Sequence, residues 1–444
     1  GDEGAATAWQ DHTRLVNAMA HERGLTTGLG VQLFGSSNLQ LAFDLVDGDV
    51  EESEMRPTIE ERLHVVTGDV GFDELNLSFG EFFNADPDAF VRSVDLVWDV
   101  AREQQPGIAM STVIHVGDSE DQKVVYQGQE MIYYFLAAFA DPEVVPWVHT
   151  TMMYNLFEDA GGAHHHDEFD EHREFLLDRL SAGEPVAYFP ETAYWVAFDN
   201  SVPVYMPLYM RSRWLDLDGV AAATGAPLPD QTLFSTGWEW GFWQNDYAAL
   251  RMAWKLRSWE DEVASMYEPW GEDGETLGRL VVTVAEAEHQ ALIVERLAPY
   301  VSGRDASMDL GYNLGVVGAP ERPTFADVAG WTAEERVAFS VTVLEPLETL
   351  AKAVGASGDI ARDLAISGDP WFVEMADAMQ TTHQRVRFVH ALWSATLVGA
   401  ADGDPSDWLE TASVHLDRGR QLVADRHGVL HDPDRERMVT GDWA

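Results

Sequence analysis

Ser235-Thr236-Gly237-Trp238-Glu239-Trp240-Gly241-Phe242-Trp243 separates two kinds of sequence, and its reading decides the fold. Before it, short apolar segments end in polar or aromatic residues and alternate with helical stretches. After it, apolar residues recur at helical spacing almost throughout. Taken as a strand, the stretch puts Gly237, Glu239 and Gly241 on one face and Trp238, Trp240 and Phe242 on the other. The glycines clear room around one carboxylate that has an aromatic wall behind it. That frame suits an uncharged, ring-shaped ligand, with carbohydrate the first candidate. The same letters also describe a Trp-rich packing strand whose acid is satisfied by an arginine.

Upstream, strands are expected over residues 30–34, 74–79, 108–116, 145–153, 186–191, 202–208 and 231–240, with helices over 86–104, 128–139 and 167–180. Asp86-Pro87-Asp88 is a helix start, since proline fits the first turn and acids favour the positive end of the helix dipole. Strands alternating with helices predict a parallel sheet with helical crossovers. With no Gly-rich phosphate loop, such a chain is expected to form an α/β fold of the (β/α)8 TIM-like barrel type, complete or distorted. Residues 308–317 are the candidate eighth strand. The barrel domain is assigned to residues 1–255 and a mostly α-helical region to 256–444, either a separate domain or helices that pad the barrel. Helices are expected over 247–266, 277–297, 332–354, 372–397 and 405–426. His383, Arg385 and His390 on one of them read as helix surface or domain contact.

Charge narrows the partners. The chain has 76 acidic against 28 basic residues, a net charge of −48, and its lysines are Lys123, Lys255 and Lys352. Such a field repels nucleic acid and anionic membranes. It keeps a protein soluble in high salt, where the Debye length falls to about 3 Å at 1 M, so a salt-adapted or marine source is expected. No run reaches the length of a membrane span, and no cationic stretch followed by an apolar one opens the chain; neither membrane insertion nor a signal peptide is expected in it. The absence of cysteine removes disulfides, thiolate metal sites and thiol nucleophiles.

In a barrel of this kind polar residues at the carboxyl ends of strands carry the chemistry. Those positions offer Glu81 within Phe79-Gly80-Glu81-Phe82-Phe83, His115, His149, Asn155, Glu191 within Phe189-Pro190-Glu191-Thr192-Ala193-Tyr194-Trp195, Arg211, Arg213 and Glu239. Glycoside hydrolysis needs one protonated carboxyl and one ionised one. Glu191 and Glu239 are the preferred pair, with Glu81 in reserve. Tyr194 and Trp195 would desolvate Glu191, as a general acid requires, while the open space beside Glu239 suits a nucleophile or base. His115, His149, Asn155, Tyr194, Trp195, Arg211, Trp238 and Trp240 are the expected sugar contacts. An ion pair with Arg211 or Arg213 is the structural alternative for either glutamate.

A second constellation is His164-His165-His166, followed by Asp167, Glu168, Asp170, Glu171 and His172, which His115 and His149 could join. It is the basis of an alternative reading as a metal-dependent hydrolase. No His-Glu-x-x-His, nucleotide cradle or Gly-x-Ser-x-Gly is present. The two-carboxylate chemistry needs neither metal nor cofactor.

The barrel signals, with glutamates in the settings Phe189-Pro190-Glu191-Thr192-Ala193-Tyr194-Trp195 and Gly237-Trp238-Glu239-Trp240-Gly241, resemble (β/α)8-barrel glycoside hydrolases over roughly residues 28–245. The chain departs from the large retaining clan at Tyr154-Asn155-Leu156, where the Asn is not followed by a Glu. The resemblance implies an extracytoplasmic enzyme acting on a glycan, with the cytoplasm of a salt-adapted cell as the alternative location. A barrel that binds glycan without hydrolysing it would use the same aromatics.

Overall fold

A computed structural model describes residues 3–34, 44–46, 52–78, 86–117, 122–160, 167–193, 203–235, 239–301 and 322–430. The fold is α/β and mostly helical. The chain divides into two compact units: Gly1–His149 with Glu174–Phe189, and Thr150–Arg173 with Pro190–Ala444.

The first unit is built on parallel strands. β1 (Gly28–Phe34), β2 (Asp44–Val46), β3 (Glu74–Ser78), β4 (Ala109–Ile114) and, after a hairpin of β5 (Lys123–Tyr126) and β6 (Gln129–Ile132), β7 (Val145–Thr150) are the strands in chain order. The order across the sheet is β2-β1-β3-β4-β7, with every neighbour parallel. Gly30 pairs with Asn76, Asn76 with Ser111 and Ser111 with Val145, so these positions share one face. The opposite face presents Val31, Leu75, Leu77, Met110 and Ile114 to the unit's core. Helices α1 (Glu3–His21), α2 (Glu52–His64) and α3 (Pro87–Gln104) belong to this unit, as does all but the first turn of α4 (Asp170–Ala182), the helix expected over 167–180.

Helix α3 begins as its sequence requires. Asp86 accepts a hydrogen bond from the Ala89 N–H at 3.0 Å, and Pro87 occupies the first turn. Phe90, Val94, Val97, Trp98 and Ala101 form its buried stripe. The helix expected over 128–139 is instead β6 followed by a 3₁₀ segment, Tyr133–Phe139. Gln127 and Gly128 both have positive φ, 50° and 83°, the pattern of a tight hairpin turn. That turn returns the chain along β5, so local pairing overrides the helical spacing.

In the second unit, β8 (Ala187–Ala193) contributes its end: Glu191 pairs with Phe234 and Ala193 with Ser235, in parallel with β9 (Phe234–Ser235). The strand expected over 202–208 is reduced to a parallel bridge between Tyr205 and Trp240, after which α5 (Leu208–Thr224) begins. Gly241, at φ 67°, turns the chain from Trp240 into α6 (Phe242–Trp254) and leaves room for the Tyr205 ring. The helix expected over 247–266 is two helices, α6 and α7 (Trp259–Tyr267), because Lys255 is extended and Ser258 caps a new start through the Asp261 N–H. α8 (Gly271–Glu288), α9 (Glu345–Leu364), α10 (Pro370–Ala400) and α11 (Ser406–Leu430) are the long helices that follow, with short ones at Ala298–Val301, Phe325–Val328 and Ala333–Phe339, in agreement with the sequence periodicity of this half. The eighth-strand candidate, 308–317, lies outside the described residues.

Leu347, Leu350 and Val354 of α9 and Met375, Met379, Val386, Val389 and Trp393 of α10 are buried. His383, Arg385 and His390 join this interior rather than a solvated surface. His383 Nδ1 lies 2.7 Å from the Ala351 carbonyl, and Arg385 Nε donates to the Val301 carbonyl at 3.0 Å. Burial lowers both histidines below the usual imidazole range.

The start of α8 contains the tightest backbone approach at any described glycine of this half. A Cβ placed on Gly274 would stand 2.0 Å from the Tyr267 carbonyl oxygen. Since the obstructing atom belongs to the backbone, Gly274→Ala is expected to destabilise the protein by about 1–3 kcal/mol despite the better helix propensity of alanine. Urea unfolding of the variant measures this; an unchanged midpoint would contradict it.

Candidate functional site

Glu191 lies on β8 and is fully buried. Its carboxylate Oε2 accepts the backbone N–H of Met152, and its backbone carbonyl accepts Arg213 Nη1 at 2.7 Å. Met152 has φ 49°, a left-handed conformation that costs a non-glycine residue about 1–2 kcal/mol. That conformation follows the end of β7 and turns the Met152 N–H onto the acid.

The left-handed turn is held from α5. Arg213, itself fully buried, donates Nη2 to the Tyr154 carbonyl and pairs with Asp216 Oδ2 at 3.2 Å. The other oxygen of Asp216 accepts the Leu156 N–H at 2.7 Å, and Ser212 Oγ donates to the Met153 carbonyl. Three side chains within one and a half turns of helix thus fix the loop from Met153 to Leu156. The arginine among them also holds the backbone of Glu191.

The residue after Glu191 is held from α6. Thr192 Oγ1 donates to Asp246 Oδ1, and Asn245 Nδ2 donates to the Thr192 carbonyl at 3.0 Å. Burial raises the Asp246 carboxyl above its usual range, against the hydrogen bonds from Thr192 and Ser235. Glu239 precedes the same helix and is fully buried, beside Trp240. The Arg426 guanidinium lies 4.4 Å from the centre of the Trp240 ring.

Two further carboxyls of this unit show opposite behaviour. Glu158 accepts Asn155 Nδ2 at 2.8 Å and contacts His289 Nε2 at 2.9 Å and Arg211 Nη1 at 3.3 Å. Burial works against its ionisation, but the hydrogen bonds from His289 and Asn155, with the charges of His289 and Arg211, outweigh it and bring the carboxyl down to about 2. Among the described residues Glu288 accepts one hydrogen bond, from the Leu208 N–H at 3.3 Å, and burial pushes its carboxyl well above the usual range. Nearby, Gln244 Oε1 accepts both Tyr205 and Tyr267 hydroxyls, and burial raises both phenols.

Of the expected site residues, the second unit holds Glu191, Glu239, Asn155, Arg211 and Trp240. Asn155 closes a turn by accepting the N–H groups of Phe157 and Glu158, each at 2.9 Å. Arg211 pairs with Glu158 and, at 3.6 Å, with Glu286, whereas Arg213 pairs with Asp216. His115 and His149 belong to the first unit, where their rings meet edge to face at 5.4 Å. His149 also packs on Phe189 at 5.2 Å. On the polar face of that unit's sheet, Asn76 donates to Ser111 at 2.9 Å and Ser111 to Glu74 at 2.7 Å. Glu81, Tyr194, Trp195, Trp238 and the cluster His164-His165-His166 lie outside the described residues. Among the described residues no group of three or more His, Asp or Glu is arranged to hold a metal ion, and no helix is long and apolar enough to cross a membrane.

Sequence reasoning missed Met152, Asp216, Asn245 and Glu288. The i,i+3 spacing of Arg213 and Asp216 on a helix was a usable signal for their pairing. Nothing local marks Met152, whose conformation is imposed by the loop.

No family model matches the sequence, and no curated relative matches it. A solved structure does match. It is a GH138 enzyme targeting pectin rhamnogalacturonan II, with a TM-score of 0.60 and 10% identity, covering 96% of this chain. The alignment takes in 66% of that enzyme's own length. The two chains share a fold.

Two stability measurements follow from these environments. Arg213→Met leaves Asp216 buried without its cation and is expected to cost about 3–5 kcal/mol in urea unfolding, much of it recovered when Asp216→Leu is added. A single variant as stable as the parent would show that the pair anchors nothing.

Glu288 gives a pH signature. The fold retains its proton at pH values where an unfolded carboxyl, ordinarily near about 4.3, has lost it. Its contribution is therefore complete below that value and falls as pH rises towards the raised folded one. Glu288→Gln is expected to melt above the parent at about pH 7–8, with the gain vanishing near about pH 4. An advantage that grew in acid would have the wrong sign.

Proposed function

We propose that this protein is a glycoside hydrolase-like enzyme acting on a poly- or oligosaccharide, with Glu191 and Glu239 as its carboxyl pair in a (β/α)8-type frame, complete or distorted. The observation that carries the proposal is the treatment of Glu191: a fully buried acid on a parallel strand, met by an N–H from a left-handed residue and fixed by a buried ion pair. Strained backbone held in place by over-determined contacts is a feature of functional sites. The fold shared with an enzyme that targets a pectin polysaccharide supports the choice of substrate class. A glycan-directed role also suits an extracytoplasmic location.

The chemistry divides between the two acids. Glu191 in its protonated form can accept the Met152 N–H on Oε2 as a carbonyl oxygen while the acidic proton resides on Oε1. That proton passes to the leaving glycosidic oxygen as the bond from the anomeric carbon breaks. Glu239, ionised, either attacks that carbon or takes a proton from the water that does. Where Glu239 has attacked, water displaces it from the anomeric carbon and gives one proton to Glu191, the other staying in the new hydroxyl; where Glu239 acts as base, it holds the water's proton, and exchange with solvent returns Glu239 to its ionised and Glu191 to its protonated form. Both carboxyls are fully buried in the free chain, so substrate entry requires a local change of conformation.

Hydrolysis of rhamnogalacturonan II oligosaccharides and a panel of other glycans by the parent, Glu191→Gln and Glu239→Gln tests the assignment. Each variant is expected to lose about 10²–10⁴-fold in kcat, and excess EDTA to leave the parent unaffected. Loss of activity to EDTA would favour a metal-dependent hydrolase. Glycan binding without turnover, unchanged in both variants, would favour a binding protein.

A further inference from the structure

Helix α6 carries an aromatic row on its outer side. Trp243, Tyr247, Leu250 and Trp254 follow one another at intervals of four, three and four residues, which places them within about 60° around the helix and along about 16 Å of its length. Tyr247 is 43% exposed, Leu250 56% and Trp254 93%, whereas Gln244, Asn245, Ala248, Ala249 and Met252 on the other side are buried. Leu250 and Trp254 face away from the core, and Tyr247 is engaged at one side only by Arg251, whose guanidinium lies 5.3 Å from its ring centre and whose Nη1 donates to its hydroxyl at 2.9 Å.

At its first turn the row meets other indoles. The Trp243 and Trp371 rings meet edge to face at 4.1 Å, and Trp371, 39% exposed, meets Trp270 at 5.7 Å. Asp369 fixes this corner, accepting Trp270 Nε1 at 3.1 Å on one oxygen and the Trp371 N–H at 2.9 Å on the other. Rings with a carboxylate beside them suit a sugar: the C–H face of a pyranose, weakly positive, lies on the electron-rich face of an indole, and its hydroxyls donate to acids. Charge selects against other occupants. At −48, a second copy of the chain brings like charge to like charge, and nucleic acid or an anionic membrane is repelled. The row also starts four residues after Glu239, so it leads directly from the segment that holds that acid.

We propose that Trp243, Tyr247 and Trp254, with Trp371 at the near end, form a track that binds a glycan chain at a distance from the carboxyl pair. The proposal extends the carbohydrate reading above and rests on it. Affinity electrophoresis in gels containing rhamnogalacturonan II, xyloglucan or a mixed-linkage β-glucan tests it, using the parent, Trp254→Ala, Tyr247→Ala and Glu191→Gln. At least one polysaccharide should retard the parent and Glu191→Gln alike, and Trp254→Ala or Tyr247→Ala should weaken retardation about tenfold. The melting temperature of Trp254→Ala should match the parent, since that side chain is 93% exposed, which makes it the deciding variant; Tyr247→Ala also removes the acceptor of Arg251 Nη1. Three results would overturn the track: no retardation of the parent by any of the polysaccharides, retardation indifferent to Trp254→Ala, or a parent that sediments as a dimer and becomes a monomer on Trp254→Ala. Retardation lost in Glu191→Gln but kept in Trp254→Ala would assign the binding to the carboxyl pair and remove the track alone. Retardation that needs Trp254, in a protein without hydrolytic activity, would remove the catalytic reading alone.

Discussion

The buried pair of Arg213 and Asp216 is the interaction on which the candidate site depends. Two charges with no access to water persist only when most of their remaining donors and acceptors find good geometry, because desolvation otherwise exceeds their attraction. Here Nη1 and Nη2 of Arg213 and the second oxygen of Asp216 go to the main chain, through the carbonyls of Glu191 and Tyr154 and the Leu156 N–H, and Arg213 Nε has no partner among the described residues. The pair therefore acts less as an electrostatic bond than as a clamp on a loop. The clamped loop adjoins the turn that the Tyr154 N–H closes on the Thr151 carbonyl at 3.2 Å, in which the left-handed Met152 directs its N–H to the Glu191 carboxylate.

Surroundings, rather than residue type, set the state of each acid in this unit. Glu158 has an imidazole, an amide and a guanidinium about it and is ionised well into acid. Glu288 accepts one backbone N–H, and burial pushes its carboxyl well above the usual range. Enzymes that use one carboxyl as an acid and another as a base depend on such a separation of environments. The same unit supplies a precedent for both states within a few turns of helix, since Glu288 and His289, the partner of Glu158, are adjacent in sequence.

The alternation of strands and helices was legible because each apolar run was short and bounded, and β1, β3, β4, β7 and β8 fall where those runs lie. Residues 202–208 read as a strand by composition but give a single bridge at Tyr205, because the chain enters α5 at Leu208 and the Glu288 carboxyl accepts its first N–H there. The segment 128–139 misled for a different reason: positive φ at Gln127 and Gly128 sets a hairpin, and only the glycine hints at it. Glu191 and Glu239 stood out by their aromatic settings, and both are fully buried. The clamp did not, because its partners are separated by as many as 60 residues and meet only through tertiary structure. Arginine 213 was visible as a charge near a strand end, yet its use as an anchor for main-chain carbonyls leaves no local pattern.

The central claim, that Glu191 and Glu239 act together on one glycosidic bond, is tested most directly by a crystal structure of the Glu239→Gln protein with a bound oligosaccharide. A glycosidic oxygen within hydrogen-bond reach of Glu191, with the two carboxyl positions about 5–9.5 Å apart across the anomeric carbon, is the predicted result. A separation well beyond about 10 Å, or a sugar bound away from both residues, would contradict it.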